Sequence, residues 1–315
     1  MATTTVARTR DEVAALNILA RKQRSLWQDA WQRLLKNKAA VLGMMIIIAF
    51  YLVAIFAPFI APHDPNRQYY EHTQQKVAWE TGDWNFILGT DSIGRDNLSR
   101  VIYGARVSMT IGLVPITLYL LIGGTIGMIA GFAGGHVDNI LMRIADVFYA
   151  FPGLLFMIIM VATFRDTPLG DLLSGLGLLF IAIALVGWEG YARLVRGQVL
   201  QVKEKEFIEA ARSIGANSTR LMVRHIFPNI LAPIIVACAF SVPGAIMAEA
   251  GLSFIGIGIR PPTASWGAMI QSGLNSLYAQ PALALAPAVC IALVMLSFTF
   301  LGDGLRDALD PRLKQ

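Results

Sequence analysis

The chain has 315 residues, of which 55% are hydrophobic and only 15% are charged, and its net charge is +5. Soluble domains carry about 25% charged residues on average, so this composition argues against an ordinary water-soluble protein. The apolar residues also fall in long blocks, which indicates that the bilayer is part of the solvent.

The first element is a polar N-terminal arm, residues 1–38. Apolar residues recur in it at helical spacing, with basic residues among and after them: Leu26, Trp27, Ala30, Trp31, Leu34 and Leu35, with Arg24, Arg33, Lys36 and Lys38. This pattern predicts an amphipathic helix on the cytoplasmic membrane surface. The arm is too polar for the apolar region of a signal peptide, so the first span is expected to be retained.

Six stretches are apolar over most or all of the roughly 20 residues that a helix needs to cross the hydrocarbon core. They are residues 39–60, 109–133, 147–164, 172–188, 230–247 and 282–301, and the fourth is the shortest. Backbone polar groups must be paired in lipid, and these runs lack the alternation of barrel strands. We therefore predict an all-α integral membrane protein with about six transmembrane helices.

Lysine and arginine are distributed unequally around these spans. With the N-terminus inside, 19 of the 26 lie in cytoplasmic segments. The positive-inside rule then predicts that both termini, including the tail 306–315, are cytoplasmic. The same loops account for the positive net charge, so nucleic acid is not predicted as a partner.

The outer segments carry two local predictions. Asp96, near the end of the outer segment 61–107, is predicted to cap the helix that leads into the second span. The polar stretch around it fits either a packed turn or direct contact with a solute. After the fifth span, the apolar run 252–259 is too short to cross, which predicts a re-entrant or surface-packed element.

Reactive side chains are scarce within the spans. All four histidines lie in loops or at span ends, and Cys238 and Cys290 are predicted to be small packing residues. Asp146, Glu189 and Glu249 lie near span ends, where ion pairing or snorkelling is expected. We predict no catalytic residue, no metal site and no cofactor. Because the dipeptide Gly-Lys never occurs, ATP would have to be bound by another subunit.

The basic loop between the fourth and fifth spans, residues 193–228, is too long for a simple connection. Four of its apolar residues lie at i, i+3, i+4 and i+7, which places them on one face of a short helix that Gly215 can end: Phe207, Ala210, Ala211 and Ile214. An exposed apolar face suggests a docked partner. The alternative is a helix packed on its own membrane domain.

This loop carries a family resemblance. The run Glu209-Ala210-Ala211, then Gly215, and then His225-Ile226-Phe227-Pro228 resembles the EAA loop of bacterial ABC-importer permeases, with His225 and Phe227 in place of the usual aliphatic residue and leucine. Further stretches are similar to the dipeptide, oligopeptide and nickel branch, the DppC/OppC type: 88–91, 94–96, 134–138, 250–256, 261–267 and 302–311. The resemblance covers the chain from about Arg24 onward, except for residues 64–86.

The resemblance implies a MetI-like fold of a type I ABC importer in a prokaryotic inner or plasma membrane, with a permease core over residues 108–305. It implies the following ATPase-coupling residues: Phe207, Glu209, Ala210, Ala211, Arg212, Ile214, Gly215 and Pro228. The implied partners are a second permease subunit, two cytoplasmic ATPase subunits, an external solute-binding protein and membrane lipid. Outer residues 69–103 and 251–277 are the candidate surface for the binding protein.

The resemblance favours di- or oligopeptides as the transported solute, with nickel chelates, haem and sugars as alternatives, and it assigns no substrate-binding residue. Two other functions fit the residues alone: a gradient-driven transporter that acts without an ATPase, and a membrane scaffold. The scarcity of acidic residues inside the spans weighs against the first of these.

Overall fold

The computed structural model describes residues 26–310, and its regular elements are helices. Those of eight or more residues are α1 (Leu26–Lys36), α2 (Lys38–Ile60), α3 (Asn97–Ala133), α4 (Gly135–Ala150), α5 (Gly153–Phe164), α6 (Leu176–Lys203), α7 (Glu206–Ser213), α8 (Phe227–Phe254), α9 (Trp266–Leu274) and α10 (Ala282–Leu309). Shorter helical turns are Tyr70–His72, Ala78–Thr81, Pro168–Asp171, Leu172–Gly175, Ser218–Arg220 and the π-helical Leu221–Ile226. Arg24, the rest of the predicted arm before residue 26, and the tail after residue 310 lie outside the described residues.

Within the described range, five helical stretches are long and apolar enough to cross a membrane: α2, α3, α6, Ser218–Phe254 and α10. The stretch Ser218–Phe254 contains the π-helical turn and α8. A sixth crossing is formed if α4 and α5, which meet at an angle of 82°, count as one span. The prediction of an all-α membrane protein with about six spans is confirmed.

The third predicted span, 147–164, is wrong as a continuous helix. The chain leaves the helical conformation at Phe151, whose φ and ψ are −82° and 135°. Pro152 follows it, and proline disfavours helical geometry in the residue before it and lacks an N–H of its own. As a result, α5 has only 12 residues, about 18 Å of rise, and it needs α4 to complete a crossing.

Other helices end later than the apolar runs do. α6 continues to Lys203 and α10 to Leu309, so both extend past their predicted spans. α8 continues to Phe254, so the run 252–259 is not one element: its first three residues are the last three of α8, and the other five follow that helix. Glu249 therefore lies inside a helix, fully buried, and its carboxylate accepts a hydrogen bond from Ser253 Oγ at 2.6 Å.

α3 and α6 form the most extensive helix pair, because three glycines of α3 face α6. A Cβ added to Gly123 would lie 2.8 Å from Tyr191 Cβ, one on Gly127 would lie 3.0 Å from Ala192 C, and one on Gly131 would lie 2.8 Å from Val199 Cβ. These distances leave no room for a side chain, so the helix backbones touch. α8 packs against both helices, and α10 packs against α8 and α2.

α1 forms where the amphipathic pattern predicts a helix. Its residues Ala30 and Leu34 pack against Ala308 near the end of α10, whereas Trp27 and Trp31 are exposed. Asn37 then caps α2 by accepting hydrogen bonds from the N–H groups of the second and third residues of that helix. The position of α1 on the membrane surface stays a prediction.

The glycine contact gives a direct test with a matched control. Gly127→Ala should force α3 and α6 apart and lower the thermal unfolding midpoint of the protein in detergent. Unfolding is monitored by the reaction of Cys238 and Cys290 with a thiol-specific dye. Gly124→Ala, three residues earlier, meets only Leu120 Cδ1 at 3.4 Å. It should leave the midpoint unchanged or raise it, since alanine is the better helix former. Equal destabilisation by both substitutions would contradict the close contact.

Candidate functional site

The segment between α6 and α8 forms a short helix, α7, that ends in a hydrogen-bonded turn. Acidic Glu206 and Glu209 lie in its first turn and Arg212 in its last, which complements the helix dipole. At its end the Ala216 N–H donates to the Ala211 carbonyl and the Gly215 N–H to the Arg212 carbonyl. This is a Schellman motif, and it needs the left-handed conformation that Gly215 adopts at φ +87°.

One face of α7 is turned into the protein. Ile208 is 0% exposed and Ala211 is 6% exposed. Both belong to a buried cluster that includes Val199 of α6, Leu221 of the π-helical turn and Ile230 of α8. The short helix is therefore seated on the two long helices that flank it.

The opposite face of α7 is exposed. Ile214, the residue that caps the helix, is 87% exposed and Phe207 is 40% exposed. Glu209, Ala210, Arg212 and Gly215 are exposed as well. The structure thus brings six of the eight predicted coupling residues to one accessible surface, which we call the α7 face.

Two predicted coupling residues lie elsewhere. Ala211 was predicted on the same apolar face as Phe207, which is wrong, because it packs inward beside Ile208. Pro228 is exposed in the first turn of α8 and lines a cavity of about 360 Å³ between α1, α8 and the end of α10, with no residue of α7 in its lining. Helical spacing alone did not find Ile208, although Ile208 and Ala211 are also three residues apart.

Polar contacts join the C-terminal half of α6 to its neighbours. Arg196 forms a two-pronged ion pair with Asp138 of α4, with N–O distances of 2.5 and 2.6 Å. Arg193 pairs with Asp146 at 3.0 Å, so the expected pairing of that acid is confirmed. Lys203, the last residue of α6, donates to the Gly131 carbonyl of α3 at 3.1 Å. α7 is thus connected through α6 to both α3 and α4.

On the other side of the membrane helices, the two outer segments meet on α3. Asp96 caps α3 as predicted, accepting from Ser99 N at 2.9 Å. Arg100 donates to the carbonyls of Pro65 and Pro262, and Trp266 Nε1 donates to the Val101 carbonyl at 2.9 Å. The aromatic side chains exposed on these segments include Tyr70, Trp79, Trp84 and Tyr278.

The amino-acid sequence matches two family profiles. Residues 123–315 match the binding-protein-dependent transport system inner membrane component, and residues 25–76 match the N-terminal transmembrane domain of oligopeptide transport permease C. The chain belongs to the family of binding-protein-dependent transport system inner membrane components. It is thus a multi-pass permease subunit of an ABC importer in a bacterial inner membrane, and not itself an enzyme.

Curated relatives resemble this permease over most of its length. It is 41% identical over 292 residues to the dipeptide transport system permease protein DppC of Bacillus subtilis, covering 92% of this chain and 87% of the relative. It is 42% identical over 297 residues to the oligopeptide transport system permease protein OppC of the same organism, covering 94% and 93%. The glutathione transport system permease protein GsiD of Pectobacterium atrosepticum is 36% identical over 303 residues, covering 96% and 97%.

A solved structure confirms the fold of this permease. An inward-facing form of the MetNI methionine ABC transporter superposes with a TM-score of 0.53, covering 67% of this chain and 96% of that chain, at 16% sequence identity. The MetI-like permease fold is therefore confirmed. Membership in a binding-protein-dependent transport family also leaves no support for the alternatives of a solitary gradient-driven transporter or a scaffold.

The seating of α7 can be tested by limited proteolysis in detergent. Ile208→Ala removes a fully buried side chain and should lower the free energy of local opening by roughly 2 kcal/mol or more. Tryptic cleavage after Lys205 and Arg212 should then become at least about tenfold faster. Ile214→Ala removes an exposed side chain and should change the rate little. Equal rates in the two variants would show that Ile208 does not anchor the helix.

Proposed function

We propose that this permease is one of two different permease subunits of an ATP-driven peptide importer, and that the α7 face is where a cytoplasmic ATPase subunit binds. The observation that carries the proposal is a short helix whose inner face is fixed by the protein's own core while Phe207 and Ile214 remain exposed. A short helix that buries one face in its own protein and exposes apolar side chains on the other is typical of a helix that docks in a partner's groove.

The residues of the α7 face have distinct roles in this proposal. Phe207 and Ile214 supply the apolar area that the ATPase would bury, and Ala210 between them allows close approach. Glu209 and Arg212 lie beside that strip, where charges set the register of docking more than its strength. Ala211 acts from the inner face by seating the helix, and Pro228 acts at the start of α8 without touching the ATPase.

The contacts of α6 connect α7 to the other membrane helices, so they can transmit a displacement of α7 by the ATPase to those helices. The helix and its end motif are braced by Ile208 inside and by Gly215 at the turn, so a displacement of α7 moves the ends of α6 and α8 with it. Lys203 and Arg196 then carry the displacement to α3 and α4. ATP binding can drive this movement only by favouring one arrangement of the two ATPase subunits over another.

The solute and the outer partner are proposed from the relatives. The names of these relatives refer to dipeptides, oligopeptides and glutathione, all of which contain peptide or peptide-like amide bonds, and we propose short peptides as the solute. A solute-binding protein would deliver them to the outer segments joined on α3. The exposed aromatic residues there, Trp79 and Trp84 among them, provide the large side chains that dominate many protein interfaces.

Both termini are proposed to be cytoplasmic, on the same side as α7. This orientation predicts how single cysteines react with a membrane-impermeant maleimide in intact cells. Ile93→Cys, on the outer segment, should be labelled without permeabilisation, whereas Glu204→Cys, in the turn between α6 and α7, should be labelled only after it. Both positions are exposed, so the opposite pattern would invert the topology.

Docking of the ATPase can be tested by co-purification from membranes solubilised in mild detergent. The tagged native chain should bring down a second permease and an ATPase. Ile214→Asp places a charge in the apolar strip and should weaken ATPase binding by roughly 2 kcal/mol or more, about thirtyfold. Gly215→Val should have the same effect, because a β-branched residue does not fit the left-handed conformation.

The matched control is Ile93→Asp, an exposed isoleucine replaced in the same way on the outer segment. It should leave the ATPase bound, and all variants should retain the second permease. Retention of the ATPase by both α7-face variants would refute the assigned site. Purification of the native chain alone would refute the proposed assembly.

A further inference from the structure

A cavity opens on the membrane helices where α3, α6 and α8 meet. It has a volume of about 390 Å³ and is lined by Tyr119, Gly187, Gly190, Tyr191, Leu194, Ala237, Ser241, Gly244 and Ala245. Tyr119, Tyr191 and Ser241 each lie near the middle of their helices. The cavity is therefore at the depth of the hydrocarbon core and far from both ends of the helices.

The lining of this cavity is unlike the lipid-facing surface of α2. The exposed side chains of α2 are large and apolar: Leu42, Met45, Ile48, Leu52, Ile55, Phe56 and Phe59. The cavity is lined instead by three glycines, two alanines, Leu194, the hydroxyl group of Ser241 and the edges of two largely buried tyrosines. Hydroxyl groups are not stabilised by lipid tails, so polar side chains at this depth mark a surface that faces protein or water.

The polar groups of the cavity have a defined arrangement. Tyr191 Oη and Ser241 Oγ are 3.0 Å apart and join α6 to α8 by a hydrogen bond. The ring of Tyr119 fills the space above Gly187, where a side chain would collide with it, and its centroid lies 5.6 Å from that of Tyr191. The rings of Tyr119 and Tyr191 thus form one side of the cavity, next to the hydrogen-bonded hydroxyl groups of Tyr191 and Ser241.

We infer that this cavity is the wall of the translocation path that a peptide touches as it crosses the membrane; the inference rests on the proposed function. The hydroxyl groups of Tyr191 and Ser241 match the hydrogen-bonding amide groups that all peptides share. The small residues around them leave room for different side chains. Such a surface binds the peptide through its backbone amide groups and does not select strongly among peptides with different side chains.

Two glycines make the inference testable with little disturbance. A Cβ added at Gly190 or Gly244 meets nothing within 4 Å, so Gly190→Cys and Gly244→Cys place a thiol in the cavity without a clash. The native cysteines are first replaced by Cys238→Ala and Cys290→Ala. Each variant is assembled with its partners in proteoliposomes and treated with a charged, membrane-impermeant methanethiosulfonate. The matched control is Ala49→Cys, an exposed small residue of α2.

A water-filled path predicts that the two cavity cysteines react at least about tenfold faster than the cysteine at position 49. It also predicts that trialanine, supplied with the binding protein and ATP, slows their reaction. If the assembled transporter takes up radiolabelled trialanine while the cavity cysteines react no faster than the control, the inference is overturned and the proposed function stands. If trialanine is not taken up although the ATPase is bound, the peptide assignment fails independently of the labelling rates.

The hydroxyl contact has a separate test. Tyr191→Phe removes one hydrogen-bonding group and should raise the KM for trialanine uptake about two- to tenfold, the effect expected for one lost hydrogen bond, while the ATPase still co-purifies. Tyr51→Phe is the control, because Tyr51 also donates from a membrane helix, to the Met109 carbonyl at 3.5 Å, but lies on α2 away from the cavity. Unchanged uptake in Tyr191→Phe, or an equal change in both variants, would show that the hydroxyl does not contact the peptide.

Discussion

The backbones of α3 and α6 touch along three turns at Gly123, Gly127 and Gly131, and the positions of the other elements depend on this contact. Lipid tails give no hydrophobic reason for two membrane helices to associate, so close packing of small residues has to supply the attraction. With these two helices fixed, α8 has a groove to pack into. The position of α7 is fixed as well, because its inner face packs on side chains of α6 and α8.

The same contact separates two kinds of surface. Toward α2 and α10 the bundle is closed by large aliphatic side chains, and α2 presents the same chemistry to lipid. On the free side of α3, α6 and α8 most of the side chains are small, and the lining includes hydroxyl groups. At one end of the bundle, α6 and α8 lead directly into the turns that hold the α7 face. One helix pair therefore supports both the surface assigned to the solute and the surface assigned to the ATPase.

The apolar blocks were sufficient to predict the class of fold and most of the spans, because the requirement for paired backbone groups in lipid leaves few alternatives. They could not give the helix ends. α6 and α10 continue past the apolar blocks because helices can extend into water, and their ends depend on local backbone geometry. Periodicity likewise predicted a face containing Phe207 and Ala211. It could not show which face of α7 is turned inward, because Ile208 and Ala211 are three residues apart, just as Phe207 and Ala210 are. Which of the two faces is buried depends on the residues that surround α7 in the folded protein.

The break between α4 and α5 has a consequence for the bilayer itself. α5 rises about 18 Å, well short of the roughly 30 Å hydrocarbon core, and α4 leaves it at 82° rather than extending its axis. Around α5 the protein therefore presents a reduced hydrophobic height to lipid. Lipids next to a short hydrophobic segment relieve the mismatch by thinning. The membrane beside α5 should thus be thinned, and the energy of that thinning will depend on lipid chain length.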